Sequence, residues 1–320
     1  MRELYRHSFD LEELARNHPP RFTNPNKQAF HNKVAVGAPI AGSIEVARWA
    51  ATDVPIRRSS HRPRLTIRPG YFTYDSPDTA TTRHWHLNFA NYDLFSAYAG
   101  SLLAQDEMQV LEHPDLASVR IALLAKRESA LVTDGDEPTP ILVSGVPRRG
   151  IIDTGPAPTR PGGLYGNRFA RASLAQIEEA TTKLDPPTIS NILAIEAPAY
   201  GRGLYTTDDV TSILRTAVTG FGAAVAETQR VDEDAETVIH TGWWGCGAYG
   251  GNQELMALLQ LLAAESAGVD EVVFHTGTDG EATLASAREV IAGLPEDIAT
   301  EDVVDTILAR GYKWGVSDGN

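Results

Sequence analysis

Cysteine is nearly missing from this chain: Cys246 is the single one in 320 residues, which excludes an internal disulfide and the stapled secreted scaffolds that depend on one. Long apolar runs are missing as well. No stretch approaches the roughly 20 residues that a membrane-spanning helix needs, and Met1 to His18 is charged throughout instead of carrying the apolar centre of a signal peptide. Positive charge is short, with 28 Lys and Arg against 42 Asp and Glu and a net charge of −14. That balance disfavours non-specific attraction to nucleic acid or to an anionic membrane, so neither is expected as a partner, and a cytoplasmic setting is the expectation. A phosphorylated ligand would have to be held locally, by backbone donors and a few arginines. No internal repeat is visible. What remains is globular in character, 42% hydrophobic and 22% charged, with length for one large core or two modest ones.

One stretch is far richer than the rest. Thr237 to Leu255 reads as a short β-branched strand, a turn with Gly245, Gly247, Gly250 and Gly251, and the start of an amphipathic helix. Asn252 is the candidate N-cap, Leu255, Met256, Leu258, Leu259, Leu261 and Leu262 give the helix a wide apolar face, and Gly268 is its stop. A second strand is expected from Glu271 to His275. Strand, glycine loop and helix N-terminus together aim backbone N–H groups at an anion, so a diphosphate cradle is the functional reading; a tight turn that merely needs glycine is the plainer one. Gly245, Gly247 and Gly250 also satisfy G-x-G-x-x-G. A dinucleotide fold places that fingerprint in its first βα turn, and here only about seventy residues follow. Cys246, between two loop glycines, reads as a small packed residue more than as a nucleophile.

Elsewhere the chain alternates strands and helices. Residues 1 to 33 read as a polar peripheral arm, and a short helix is expected over Ile44 to Ala51. Arg57, Arg58, Arg62, Arg64 and Arg68 with His61 form the one basic cluster, either a solvated loop or a phosphate-facing rim. Arg83 to Asn91 reads as a strand with His84 and His86 on one face, two imidazoles without the third partner that a metal site needs. A helix is expected over Ser101 to Leu111, carrying Gln105, Asp106 and Glu107. Asp134 to Pro140 and Gly150 to Gly166 read as long loops, Ile189 to Ala197 as a buried strand, and Asp208 to Gln229, Gly280 to Ala292 and Glu301 to Ala309 as helices. The alternation argues for an α/β fold with a mixed sheet between helical layers.

Two of these segments, taken together, resemble the poly(ADP-ribose) glycohydrolase family. Leu87-Asn88-Phe89-Ala90-Asn91, Gln105-Asp106-Glu107-Met108 and His113-Pro114-Asp115-Leu116 are similar to that family's strand end, Gln-Glu-Glu signature and continuation. Thr241 to Gly251 is similar to its Trp-Gly-Cys-Gly-Ala-Phe-Gly-Gly loop. The resemblance implies a macrodomain-like fold over 65–320, with 1–64 as an N-terminal helical and irregular extension packed on it. It also implies an ADP-ribose or ADP-ribosylated partner and hydrolysis of a ribosyl bond with no cofactor and no metal. On its terms Glu107 is the catalytic acid and base and Asp106 its companion. Asn91, Gln105, Phe95, Gly245, Cys246, Gly247, Ala248, Tyr249, Gly250 and Gly251 then hold the substrate. The chemistry suits the residue types, because an oxocarbenium-like state needs a carboxylic acid at the leaving oxygen. The family's triple glycine falls here on Phe95-Ser96-Ala97, and aromatic positions of the family fall on Pro156 and Gly277, so a binding module without turnover and a hydrolase of another nucleotide conjugate stay open beside the glycohydrolase.

Overall fold

A computed structural model of the chain describes residues 1–35, 40–52, 62–199, 201–295, 299–317 and 319. The chain begins with β1 (Glu3–Asp10), α1 (Leu11–Asn17), α2 (Pro25–Val34), β2 (Ser43–Trp49), β3 (Arg64–Arg68) and β4 (Thr82–Ala90). It continues with α3 (Gln105–Glu112), α4 (Asp115–Ala125), a hairpin of β5 (Thr133–Asp134) and β6 (Glu137–Pro138), and β7 (Ile141–Ile152). A 3₁₀ turn over Gly166–Arg171 leads to α5 (Leu174–Ala180), β8 (Thr181–Glu196) and α6 (Thr207–Val231). The glycine stretch supplies β9 (Glu236–Thr241) and α7 (Gln253–Ala267), followed by β10 (Glu271–His275), α8 (Glu281–Ala292) and α9 (Thr300–Leu308).

Eight of these strands form one sheet in the order β1-β2-β7-β8-β4-β9-β10-β3. The β1, β2, β7 and β8 pairings are antiparallel, and those from β8 through β4, β9 and β10 to β3 are parallel. The parallel half is wrapped by crossovers and must be buried on both faces. The run Ile192-Leu193-Ala194-Ile195 in β8 shows this directly: Leu193 and Ile195 join the core under α6 and α7, while Ile192 and Ala194 join the core under α1 and α4. A third cluster, with Phe30, Leu103, Leu111 and Phe169, fills the space among α2, α3 and α5. The architecture is the mixed sheet between helical layers expected from the sequence.

Two expectations for the N-terminal part are corrected. The helix expected over Ile44 to Ala51 is instead strand β2, Ser43–Trp49: Ile44 and Val46 point to one face and Ala47 and Trp49 contribute to the other core, and an apolar run this short fits either period. The polar arm over 1–33 includes an edge strand of the main sheet, β1, paired with β2, and two capped helices. Two of the eight strands therefore lie within residues 1–64. The hairpin β5–β6 occupies part of the loop expected at 134–140, and β7 runs through Ile152 before the second loop begins.

Candidate active site

The strand β4 ends at Ala90, and its neighbour β9 ends at Thr241, so the loops that follow both emerge at the same edge of the parallel half. A cavity of about 550 Å³ lies between them. Asp106 and Glu107 line it from α3, and Gly245, Cys246, Gly247, Ala248 and Tyr249 line it from the glycine loop. Residues about 140 positions apart in the chain thus share one pocket, because adjacent parallel strands carry their loops to one end.

Helix α3 starts at Gln105 rather than Ser101, and Glu107 itself explains where. It occupies the third helical position, and its Oε2 accepts the Ala104 N–H at 2.9 Å, half of a capping box whose other half Ala104 cannot supply. The acid is therefore held in one rotamer by the helix it belongs to. Gln105 spends its amide on β4, accepting the Phe89 N–H at 2.8 Å and donating to the Leu87 carbonyl at 3.1 Å. It lines the cavity but acts by pinning the helix start to the strand. Below the pair, Asp106 accepts from Asn88 Nδ2 at 3.0 Å, Asn88 also donates to Gln109 Oε1 at 2.8 Å, and Gln109 donates to Tyr74 Oη at 3.0 Å. Both carboxylates are buried. Burial, and then the neighbouring Glu107, push Asp106 up to about 7; burial raises Glu107 too, against the opposing pull of the Lys27 ammonium. The pair is one coupled acid able to hold a proton near neutrality.

The glycine loop is held in shape by its own backbone. Cys246 N–H donates to Trp243, Gly250 N–H to Gly247 and Gly251 N–H to Gly245, while the buried Gln260 of α7 donates to the Gly242 carbonyl at 3.1 Å. Gly245 is left-handed at φ +75°, and a Cβ there would meet the Ala197 methyl at 2.7 Å, so neither its backbone nor its surroundings admit another residue. Asn252 caps α7 by accepting the Leu255 N–H, as expected from the sequence, and Gly268 closes the helix in the left-handed conformation. Among the described residues, the amides of Gly247 and Ala248 donate to no protein group. Two adjacent donors at the rim of a cavity suit an anion.

Three expected contacts are corrected. Phe95 does not line the cavity: it is left-handed at φ +54° and its ring is fully buried with Leu94 and Tyr98 in the core under α4, while Ser96 and Ala97 face the cavity in its place. Burial of the ring offsets a conformation that would otherwise suit glycine. Gly250 and Gly251 stand behind the pocket wall. A Cβ on Gly251 would strike the Gly245 carbonyl at 2.7 Å, and Gly250, at φ +70°, accepts from the Gly315 N–H at 2.8 Å. Their role is to turn the chain. Cys246 lines the cavity, yet burial pushes its thiol upward and its Sγ–H donates to the Trp244 carbonyl, so it is not a thiolate nucleophile. Asn91 lines the cavity and donates to Tyr249 Oη at 3.4 Å, joining the two loops.

Residues 164–283 match the family model of the catalytic domain of poly(ADP-ribose) glycohydrolase (PARG), macro domain fold. This segment belongs to the PARG family. Among solved structures the chain is similar to poly(ADP-ribose) glycohydrolase from Thermomonospora curvata, at 16% identity over 88% of this chain and 85% of that one with a TM-score of 0.43. It is also similar to the Deinococcus radiodurans glycohydrolase in complex with ADP-ribose, at 15% identity over 90% and 94% with a TM-score of 0.43. An Oceanobacillus iheyensis macrodomain with MES bound is similar at 12% identity over 77% and 98%, TM-score 0.39.

The PARG segment holds the glycine loop, whereas Glu107 lies upstream of it. Of the family's aromatic positions, Pro156 is away from the cavity and Gly277 is on its wall, where a Cβ would meet nothing within 4 Å. Aromatic surface reaches the cavity from Phe89 and Trp243, within the two segments that carry the resemblance, and from places the sequence did not mark: Tyr71 and Phe72, which follow the Gly70–Gly277 bridge, and Tyr165. Tyr71 is 67% exposed. Tyr71, Phe72 and Tyr165 gave a weak signal because each sits in an irregular segment without periodicity.

The other charged groups go elsewhere. Arg64 pairs with Glu236 and Glu271, and Arg68 with Asp75, so these members of the basic cluster serve the β3 edge; Arg57, Arg58 and His61 lie outside the described residues. His84 meets His240 at 3.0 Å, His86 stacks on His240, and His240 meets His275 at 3.3 Å. Burial lowers His240 to about 3 and His275 to about 4. Among the described residues no group of three or more His, Cys, Asp or Glu side chains is arranged to hold a metal, and no helix is long and apolar enough to cross a membrane.

Proposed function

We propose that the chain binds ADP-ribose or an ADP-ribosylated substrate and hydrolyses an O-glycosidic ribosyl bond with Glu107 as acid and base. The observation that carries this reading is the shared cavity: a buried carboxyl pair on one wall and unpartnered backbone donors on the facing loop. The loop takes the diphosphate, and the sugar it anchors extends toward α3. Glu107 gives its proton to the leaving oxygen as positive charge develops on the anomeric carbon. The ionised carboxylate then accepts a proton from the water that attacks that carbon, so the acid is restored at the end of the cycle. Burial raises the proton affinity Glu107 needs, and Asp106, tied to Asn88 and itself raised by burial and by Glu107, offers a second site for the proton beside it. The aromatic wall of Phe72, Phe89 and Trp243 excludes water and strengthens these interactions.

The Glu107→Gln variant tests the assignment, since the amide keeps the helix-capping acceptor and loses only the proton chemistry. Release of ADP-ribose is expected to fall by about 10²–10⁴-fold, with ADP-ribose affinity retained in calorimetry. Undiminished release would reject Glu107 as the acid, and affinity without turnover in the unaltered protein would leave a binding module.

A further inference from the structure

Helix α2 carries a lysine that the cavity alone does not explain. Lys27 is fully buried, and its ammonium donates to the Tyr98 carbonyl at 2.8 Å. Lysine is seldom buried without a counter-charge, and a carbonyl is not one. Tyr98 belongs to the loop that joins β4 to α3, the loop whose Ser96 and Ala97 line the cavity. The same N-terminal segment grips that loop repeatedly. The amides of Thr23 and Asn24 and the Thr23 hydroxyl all donate to the Ala99 carbonyl, at 3.0, 3.1 and 2.8 Å, and the Arg21 amide donates to Tyr98 Oη at 3.2 Å. The charges that act on Lys27 are the carboxylates of Glu107 and Asp106.

We propose that Lys27 is a positioning residue of the acid site: its tether holds the loop that delivers Glu107, and its charge fixes the number of protons the Asp106–Glu107 pair carries. The inference rests on the reading of Glu107 as the acid. Two carboxylates and one ammonium, all withdrawn from water, are neutral when the pair holds a single proton, and that is the state a group acting alternately as acid and base requires. Remove the ammonium and neutrality needs two protons, so the pair keeps its protons to higher pH.

Other charged groups around this point are already matched. Arg120 of α4 also acts on Asp106, but its guanidinium is held by Asp93 at 2.6 and 2.8 Å. From the elements packed on α2, Arg148 and Arg149 of β7 are engaged by Glu112 and Asp115, Lys183 of β8 lies near Asp185, and Glu178 of α5 pairs with Lys33 at the far end of α2. His31, also on α2, is lowered by burial and then by Arg149. Burial lowers Lys27 itself to about 8, against the pull of the two carboxylates, so its charge is present at neutrality and lost in mild alkali.

The test uses the full chain without ligand. Lys27→Met keeps the apolar stem and removes the charge, Lys27→Gln is a second neutral replacement, and Lys27→Arg keeps the charge; thermal melts establish that each folds. Carbon-13 NMR of the side-chain carboxyls, assigned with Glu107→Gln and Asp106→Asn, follows the pair through a pH titration. In the neutral variants the pH at which the pair gives up its proton is expected to rise by roughly one to three pH units, and in Lys27→Arg to stay near the unaltered value. An unmoved titration in a folded neutral variant would overturn the proposal and leave Lys27 a structural strut. Because the titration is read on the free protein, it is distinct from the turnover of Glu107→Gln, whose persistence would sink the proposed function and not this result.

Discussion

The loops that face each other across the cavity differ in the residues that shape them. The one after β9 is shaped by glycine and closed by its own hydrogen bonds, Gly251 to Gly245 and Gly250 to Gly247, with Gln260 and the Gly315 amide fastening it from behind. The one after β4 has Phe95, Ser96 and Ala97; it closes turns of its own, Ser96 to Asp93, Tyr98 to Phe95 and Gly100 to Ala97, but carries a left-handed Phe95 and is fastened from outside by Arg21, Thr23, Asn24 and Lys27. A backbone can thus be brought to a ligand in two ways. Either glycines are placed where the backbone is left-handed, or a left-handed non-glycine residue is held there by the burial of its own side chain and by neighbouring segments.

If that contrast is right, Phe95→Gly separates conformation from packing. Deleting the buried ring removes about 3–5 kcal/mol, and relief of the left-handed backbone returns about 1–2 kcal/mol. Denaturant melts are expected to show a net loss of about 1–4 kcal/mol. Calorimetry with ADP-ribose is expected to show affinity within about threefold of the unaltered protein, since the ring lies outside the cavity; a larger change would place Phe95 in the binding surface after all. Across the cavity, Gly245→Ala forces a side chain onto the Ala197 methyl in a left-handed backbone. It is expected to cost about 1–3 kcal/mol in melts and, unlike Phe95→Gly, to weaken ADP-ribose binding by roughly tenfold. Equal effects on binding from the two substitutions would erase the distinction between the loops.

A smaller effect sharpens the carboxylate side. Asp106 has its pKa raised when folded, chiefly by burial and then by Glu107. It therefore favours folding fully below its unfolded value near 4, and this contribution is lost as pH climbs through about 7. Asp106→Asn, which can still accept from Asn88, is expected to flatten the decline in stability between pH 4 and pH 8 by roughly 1–2 kcal/mol, the proton being shared with Glu107. Melts at the two pH values would show an unchanged slope if the raised proton affinity belonged elsewhere.

The same contrast explains what could be read from the sequence. The glycine loop was legible because its constraints are local: Asn252 caps the helix it precedes, Gly268 ends it, and Gly245 sits where only glycine fits. Helices α6 to α9 were legible from their apolar spacing. Glu107 was reached through its resemblance to a family signature, and the Lys27 ammonium that acts on it was not, because Lys27 lies on α2, far upstream in the chain, and only the fold brings the two together. The misreading of Ile44 to Ala51 as helix has a similar root, since β2 is specified by β1 and β7 on either side of it more than by its own seven residues. The direction of Phe95, into the core and not the pocket, is not legible either, because sequence gives a side chain's size and not its orientation.

A crystal structure of the Glu107→Gln variant soaked with ADP-ribose tests the central claim most directly. The account predicts diphosphate oxygens at about 2.7–3.2 Å from the Gly247 and Ala248 amides, with the anomeric carbon of the terminal ribose beside residue 107. A ligand seated elsewhere, or seated on the glycine loop with that ribose directed away from α3, would contradict it.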